Sequence, residues 1–183
     1  MPQRVYIDTC ILRLVFDEPI PREVAGAVGA LCDFDDLEFV TSRKTLQELL
    51  NHPDQVKRSL LKLIYRVMSK LPEANLVDFV PAFYGAVMFG EATYGGGAHR
   101  PDPIFTKLRE VFKKDDAEHI FQAAKGQCRF FLTVDSRTIL KKARRCTEQL
   151  QKICPELQFV TPTELVAILR HNTQKADGTD GDT

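Results

Sequence analysis

Val5-Tyr6-Ile7-Asp8-Thr9, near the start of the chain, and Phe131-Leu132-Thr133-Val134-Asp135, near its far end, follow one pattern. Each is a short apolar run with little polar alternation that closes on an aspartate. Such runs suit central strands buried on both faces, as in a parallel sheet. In an open α/β sheet, groups at the carboxyl ends of parallel strands meet in one crevice. Asp8 and Asp135, remote in sequence, are therefore expected to be close in space.

Working outward from these runs, strands and helices alternate. A helical stretch after Asp8-Thr9 carries Ile11, Leu12, Val15 and Phe16, and Asp17 to Pro21 break it. A second helix is expected over about Arg22 to Leu31, weakened by Gly26 and Gly29. Leu37 to Val40 reads as a strand. Thr41 or Ser42 then offers an N-cap oxygen for a helix through Leu50, with Leu46, Leu49 and Leu50 inward and Glu48 off that stripe. Asn51-His52-Pro53 ends it. In the next helix Val56, Leu60, Leu63, Ile64, Val67 and Leu71 recur at helical spacing, which predicts a buried face, with Lys57, Arg58, Lys62, Arg66 and Lys70 in water.

Leu76 to Val80 reads as a strand. Gly90 to Pro103 reads as a loop, after a short helix around Tyr84 to Phe89. Pro103 to Phe112 is helical. Asp115 is expected to cap the following helix, with Glu118 completing a capping box. Ala117, Ile120, Phe121 and Ala124 share its apolar face, and Gly126 stops it. Cys128 to Val134 is the strongest strand. Ser136 to about Lys152 reads as one helix, Leu157 to Val160 as a strand, and Thr161-Pro162 opens a helix to about Leu169. His171 to Thr183 is polar and reads as a disordered tail. The expected organisation is one domain over 1–170 followed by that tail. The fold class is α/β, a three-layer α/β/α arrangement with a mostly parallel central sheet.

The chain has 183 residues, enough for a sizeable core. No apolar run approaches a membrane span. Met1-Pro2-Gln3-Arg4 leads straight into the first strand, so no signal peptide is expected and the predicted location is cytoplasmic. Five cysteines, Cys10, Cys32, Cys128, Cys146 and Cys154, are odd in number and widely spaced. That fits neither a disulfide framework nor a zinc site. Lys plus Arg and Asp plus Glu are 25 each, giving zero net charge. The basic balance common in nucleic-acid binders is absent, so any partner must be inferred from a site.

Two further acids complete the pattern. Glu48 and Asp116 lie in helical segments and off their apolar stripes. Four carboxylates in one crevice would repel one another, and a cation relieves that repulsion. Hard oxygen ligands with coordinated waters suit Mg2+ or Mn2+. Each acid also has a structural role open to it. Asp8 and Asp135 can cap the helices that follow them, Asp116 can favour the positive end of its helix, and Glu48 can be a solvated helix residue.

The chain resembles the PIN-domain family of nucleases. The matching stretches are Val5-Tyr6-Ile7-Asp8-Thr9-Cys10, Thr41 to Leu50 with Glu48, Asp116-Ala117-Glu118-His119-Ile120 with Ala123-Ala124, and Phe131-Leu132-Thr133-Val134-Asp135, in the family's order. The resemblance implies the three-layer fold and metal-dependent endoribonuclease activity on single-stranded RNA. It places Asp8, Glu48, Asp116 and Asp135 around one or two Mg2+ or Mn2+ ions, with Asp8, Asp116 and Asp135 holding the metal. Thr9 or Thr133 would support the site by a hydrogen bond. In many members it also implies a toxin held by an antitoxin, and a homodimer is a further partner to test. The chain departs from the pattern at Cys10, where the family often has Asn and where a thiol cannot make the same hydrogen bonds. It is also longer than compact toxin members, through Pro81 to Pro103 and the tail.

Glu48 would bind the ion or orient the attacking water. His119, three residues after Asp116, shares its helix face and could bind metal, touch phosphate or orient Asp116; a satisfied structural histidine is the competing reading. For substrate, Arg137, Lys141, Lys142, Arg144 and Arg145 follow Asp135 closely and could track a phosphate backbone. Tyr94, His99 and Arg100 could stack on unpaired bases. A DNA or flap nuclease with related chemistry is the nearest rival, and a binding module of the same fold without catalysis is the next. Cys10 argues against an aspartyl-nucleophile phosphatase, which wants a second Asp at that position.

Overall fold

The structure is a computed structural model that describes residues 2–14, 16, 20–74, 76–81 and 97–177. Val15, Asp17, Glu18, the expected helix around Tyr84 to Phe89, Tyr94 and residues 178–183 lie outside the described residues. Five strands, β1 (Gln3–Ile7), β2 (Leu37–Thr41), β3 (Ser69–Lys70), β6 (Phe130–Leu132) and β7 (Gln158–Val160), form one sheet in the order β3-β2-β1-β6-β7. Every pairing in it is parallel. The order runs outward from β1 through β2 to β3, then resumes on the other side with β6 and β7. The reversal falls between β1 and β6, the place where open α/β sheets present a crevice.

The strand runs are buried on both faces with the expected period of two. Tyr6 and Phe131 join a core formed with Leu108, Phe112, Ile120 and Phe121. Val5, Phe130 and Leu132 point the other way, to Ala27, Leu31, Leu165 and Leu169. The first layer is built from α5 (Pro103–Val111), α6 (Lys114–Lys125), α7 (Ile139–Arg145) and α8 (Thr147–Ile153), and the second from α2 (Arg22–Leu31) and α9 (Pro162–Asp177). Tyr6 stacks on Phe131 at 5.3 Å between centroids, so aromatic contact ties β1 to β6. A third cluster, Leu12, Leu49, Leu61 and Tyr65, packs α1 (Thr9–Arg13), α3 (Arg43–Leu50) and α4 (Gln55–Val67) together.

Several expectations are corrected. The helix after Pro53 stops at Val67, because Met68 turns extended and Ser69-Lys70 pair with Val40 and Thr41 as β3. Its buried face is also not the expected one: Leu61 and Tyr65 are inside, whereas Val56, Leu60, Leu63 and Val67 are exposed. The expected loop before Pro103 contains β5 (Gly97–Pro101), which pairs antiparallel with β4 (Val77–Pro81) in a separate two-stranded sheet. Asp115 is no cap, since α6 already begins at Lys114. Gly126 does end α6, but with an ordinary φ of −76°; Gln127 takes the left-handed φ of 54°. At Gly126 a Cβ would sit 2.4 Å from Leu71 Cδ1, so any side chain there would force Leu71 to move.

The segment Ser136 to Lys152 is two helices that break at Cys146 (φ −113°, ψ 29°). The Thr147 hydroxyl donates back to the carbonyls of Ala143 and Arg144 and competes with regular helix geometry there. Finally, the tail expected from His171 is helical to Asp177, so a boundary at 170 falls inside α9.

Candidate functional site

Register alone brings the two motif ends together. Ile7 pairs with Leu132, so Asp8 and Thr133 are the next residues off adjacent strands at the reversal point. The Asp8 amide donates to the Leu132 carbonyl at 3.1 Å. Asp8 is 5% exposed, and its carboxylate makes no cap bond to α1. Its Oδ2 instead accepts from the Thr133 hydroxyl at 2.7 Å and from the Cys10 thiol at 2.9 Å. Thr133 Oγ1 also accepts the Asp135 amide at 3.1 Å, so one buried hydroxyl links both strand-end aspartates.

Cys10 is better integrated than the residue type suggested. Its sulfur contacts Thr133 Oγ1 at 3.1 Å and accepts the Val134 amide at 3.3 Å. Burial, then the Asp8 charge and hydrogen bond, push the thiol well up, so it stays protonated and donates.

Asp116 lies in the first turn of α6, half-buried, with no ion pair among the described residues. Burial raises its pKa first, and the charges of Asp135 and Asp8 raise it further; Lys142 and His119 oppose this weakly. Asp116 is therefore within electrostatic reach of both Asp135 and Asp8. Asp135 is more self-contained. Its Oδ1 accepts the amides of Arg137 at 3.1 Å and Thr138 at 2.8 Å, and its Oδ2 accepts the Thr138 hydroxyl. Burial pushes its pKa up, but these hydrogen bonds outweigh burial and leave it lowered. It thus closes the turn that precedes α7, whose N-cap is Thr138 and not Asp135.

Glu48 is largely buried on α3, its side chain 25% exposed, and its environment is set by a buried polar chain that sequence reading did not assemble. The Ser42 and Tyr6 hydroxyls are 2.6 Å apart, Tyr6 Oη is 2.7 Å from His119 Nδ1, and His119 Nε2 is 2.9 Å from Glu48 Oε1. The last contact is oblique to the ring N–H, so it is a close charge contact and not a full hydrogen bond. Burial pushes Glu48 up, but His119, Thr9 and Lys44 outweigh it and hold the carboxyl at about 2. Thr9 is buried beside Glu48, and its hydroxyl completes no hydrogen bond among the described residues. His119 thus lies between Tyr6 and Glu48, and among the described residues it makes no hydrogen bond to Asp116, on which it acts only through its charge. A tyrosine in an otherwise apolar buried run was the available signal, because its hydroxyl needs a partner inside.

The substrate candidates divide. Arg137 and Lys141 are exposed, and Arg144 is held by Glu164 at 2.6 Å. Lys142 is the one whose charge reaches Asp116, with its ammonium 5.9 Å from the Phe112 ring centroid. Arg100 lies in β5 opposite Asp78, in the small antiparallel sheet.

The donor chemistry fits a hard divalent ion: carboxylates from three elements, with one of them uncompensated. Among the described residues no group of three or more His, Cys, Asp or Glu is gathered tightly enough to hold a metal ion outright. Mg2+ uses only one or two carboxylates and keeps several waters, so a looser set still suits it. No described helix is long and apolar enough to cross a membrane. No protein-family model matches the chain, and no curated protein is significantly similar to it.

Proposed function

We propose that the crevice at the ends of β1 and β6 is the active site of a Mg2+- or Mn2+-dependent endoribonuclease acting on single-stranded RNA. One observation carries the reading: Asp116 shares an electrostatic neighbourhood with Asp8 and Asp135 and, among the described residues, has no basic residue in ion-pair contact with it. A fold tolerates such a carboxylate most readily where a cation is to be bound.

Asp8, Asp116 and, through water or after leaving Thr138, Asp135 would hold the ion. When bound, it supplies an acidified water and neutralises charge on the phosphodiester. Thr133 and Cys10 fix the Asp8 carboxylate by donating to Oδ2. Glu48, kept ionised at neutral pH beside His119, would bind the ion or orient the attacking water; a carboxyl held near 2 is a weak proton acceptor. Lys142 is the nearest candidate for a phosphate oxygen.

The satisfied oxygens of Asp135 favour a second reading, a module that keeps the fold and binds nucleic acid without cutting it. Matched single-stranded RNA and DNA oligonucleotides incubated with Mn2+ separate these readings. Cleavage of RNA by the wild type, abolished in both Asp8→Asn and Asp116→Asn, supports the nuclease. DNA-selective cleavage moves the assignment to the DNA-acting rival, and binding without cleavage selects the module.

A further inference from the structure

Helix α4 carries two apolar stripes. Leu61 and Tyr65 face the core against Leu12 and Leu49, with Ile64 and Met68 beside them. The other stripe, Val56, Leu60, Leu63 and Val67, is 69, 44, 58 and 79% exposed. These four are successive members of a 4-3-4 spacing, the a/d pattern with which one helix offers knobs to another. Four large aliphatic side chains in one exposed row are more than scattered surface apolar residues and mark an interaction surface.

Charge specifies the occupant. Gln55–Val67 contains Lys57, Arg58, Lys62 and Arg66 and no acidic residue. The Lys57 ammonium is turned to the Phe16 carbonyl at 3.0 Å, whereas Lys62 and Arg66 are exposed and flank the row on one side. Two copies of α4 packed on each other would bring like charges together, which disfavours self-association through this row. The row also lacks the aromatic residues typical of helices lying in a lipid interface.

We propose that α4 is a docking surface for an amphipathic helix of another protein, with apolar residues at matching 3-4 spacing and acidic flanks. The core-facing stripe holds α4 in place, so the surface is formed before the partner arrives. This proposal stands independently of the hydrolytic reading.

The test uses the full chain and a fluorescent synthetic helix of about three heptads, with Leu at a and d and Glu at e and g. A twin peptide carries Lys at e and g, and a scrambled peptide keeps the acidic composition. The acidic helix is expected to bind, the twin and the scrambled peptide are not, and added salt should weaken the complex. Replacing Leu60→Glu with Leu63→Glu should weaken binding at least about tenfold while leaving the melting temperature close to wild type. Lys62→Glu with Arg66→Glu should transfer preference to the lysine peptide, an outcome that loss of folding cannot imitate. The proposal is overturned if the acidic helix does not bind, if all peptides bind alike, or if the Leu60/Leu63 variant binds as wild type. It is equally overturned if phosphatidylserine vesicles displace the helix, or if sedimentation shows a wild-type dimer that this variant abolishes.

Discussion

Asp115 and Asp116 are neighbours in the first turn of α6, where the helix dipole favours both, yet their surroundings differ. Asp115 is paired with Lys44 at 2.6 Å, and Glu118, one turn on, shares the same ammonium at 2.7 Å. Among the described residues Asp116 has no ion-pair partner; it meets the charges of Asp135 and Asp8, with Lys142 only partly offsetting them. One side of the turn joins α3 to α6 by ordinary ion pairing; the other concentrates negative charge at the mouth of the crevice. The helix terminus cannot explain the second arrangement, because both residues share it. A folded-state pKa raised above the unfolded value means that Asp116 contributes stability only when protonated. That contribution is present at pH below the unfolded value and is lost as pH rises through the folded one. At neutral pH the residue is a cost, which points to a task for it.

The widest break between the two sides should come from Asp116→Asn. RNA cleavage with Mn2+ is expected to fall roughly 100-fold or more, since a charge needed at the reacting centre is gone. The metal-free variant should nevertheless melt higher than wild type, by about 1–3 °C, because the repulsion is relieved. Mn2+ should raise the melting temperature of the wild type and not that of the variant. Calorimetry with and without the ion checks both; a variant that melts lower without metal would remove the claim that Asp116 is uncompensated.

Next in size is the buried chain behind Glu48. Replacing His119→Ala removes one of the buried partners of the Tyr6 hydroxyl, leaving Ser42, and takes away the side chain against Glu48. Urea denaturation is expected to show a loss of about 2–4 kcal/mol. Tyr6→Phe keeps the ring stack on Phe131 and should cost about 1 kcal/mol. If His119 positions Glu48 for chemistry, His119→Gln should lower kcat more than it raises KM. A purely structural histidine would not produce that split.

A smaller effect appears in acid. The Glu48 pKa is held near 2 against an ordinary carboxylate value, so its contribution is fully present above the unfolded pKa. It is lost as pH falls from the unfolded value towards 2. Melting curves between those limits should fall more steeply for wild type than for Glu48→Gln, and parallel curves would show that Glu48 contributes nothing to acid stability.

Much of this architecture is readable before folding is considered, and the reasons are local. A short apolar run ending in Asp marks the strand, and Asp8 directly follows β1, whereas β6 stops at Leu132 and Asp135 lies three residues beyond it. Periodicity is less decisive on α4, because Leu61-Tyr65 and Val56-Leu60-Leu63-Val67 both recur at helical spacing. Only the docking of α4 against Leu12 and Leu49 selects between them. Helical continuation past His171 was hidden by polarity, since residues 171–175 are exposed and leave no apolar stripe to read. The Lys44 bridge joins residues 71 positions apart, and no pattern in the chain announces it. The same holds for the Ser42-Tyr6-His119-Glu48 chain, in which four unremarkable residues become one system only when β1, α3 and α6 meet.

The smallest expected effect is also the sharpest test of the contrast on α6. Asp115→Asn removes one of two acids on Lys44 at a position whose side chain is 71% exposed. Exposed ion pairs contribute about 0–1 kcal/mol, and Glu118 remains to hold the ammonium, so stability should change by less than about 0.5 kcal/mol. Cleavage with Mn2+ should be unchanged. Identical chemistry at adjacent positions would then give opposite results, silent at 115 and disabling at 116. Equal losses at both would mean that the activity depends on the total negative charge of the turn. Equal silence would leave the crevice without an essential carboxylate on α6, and hydrolysis there would have to be abandoned.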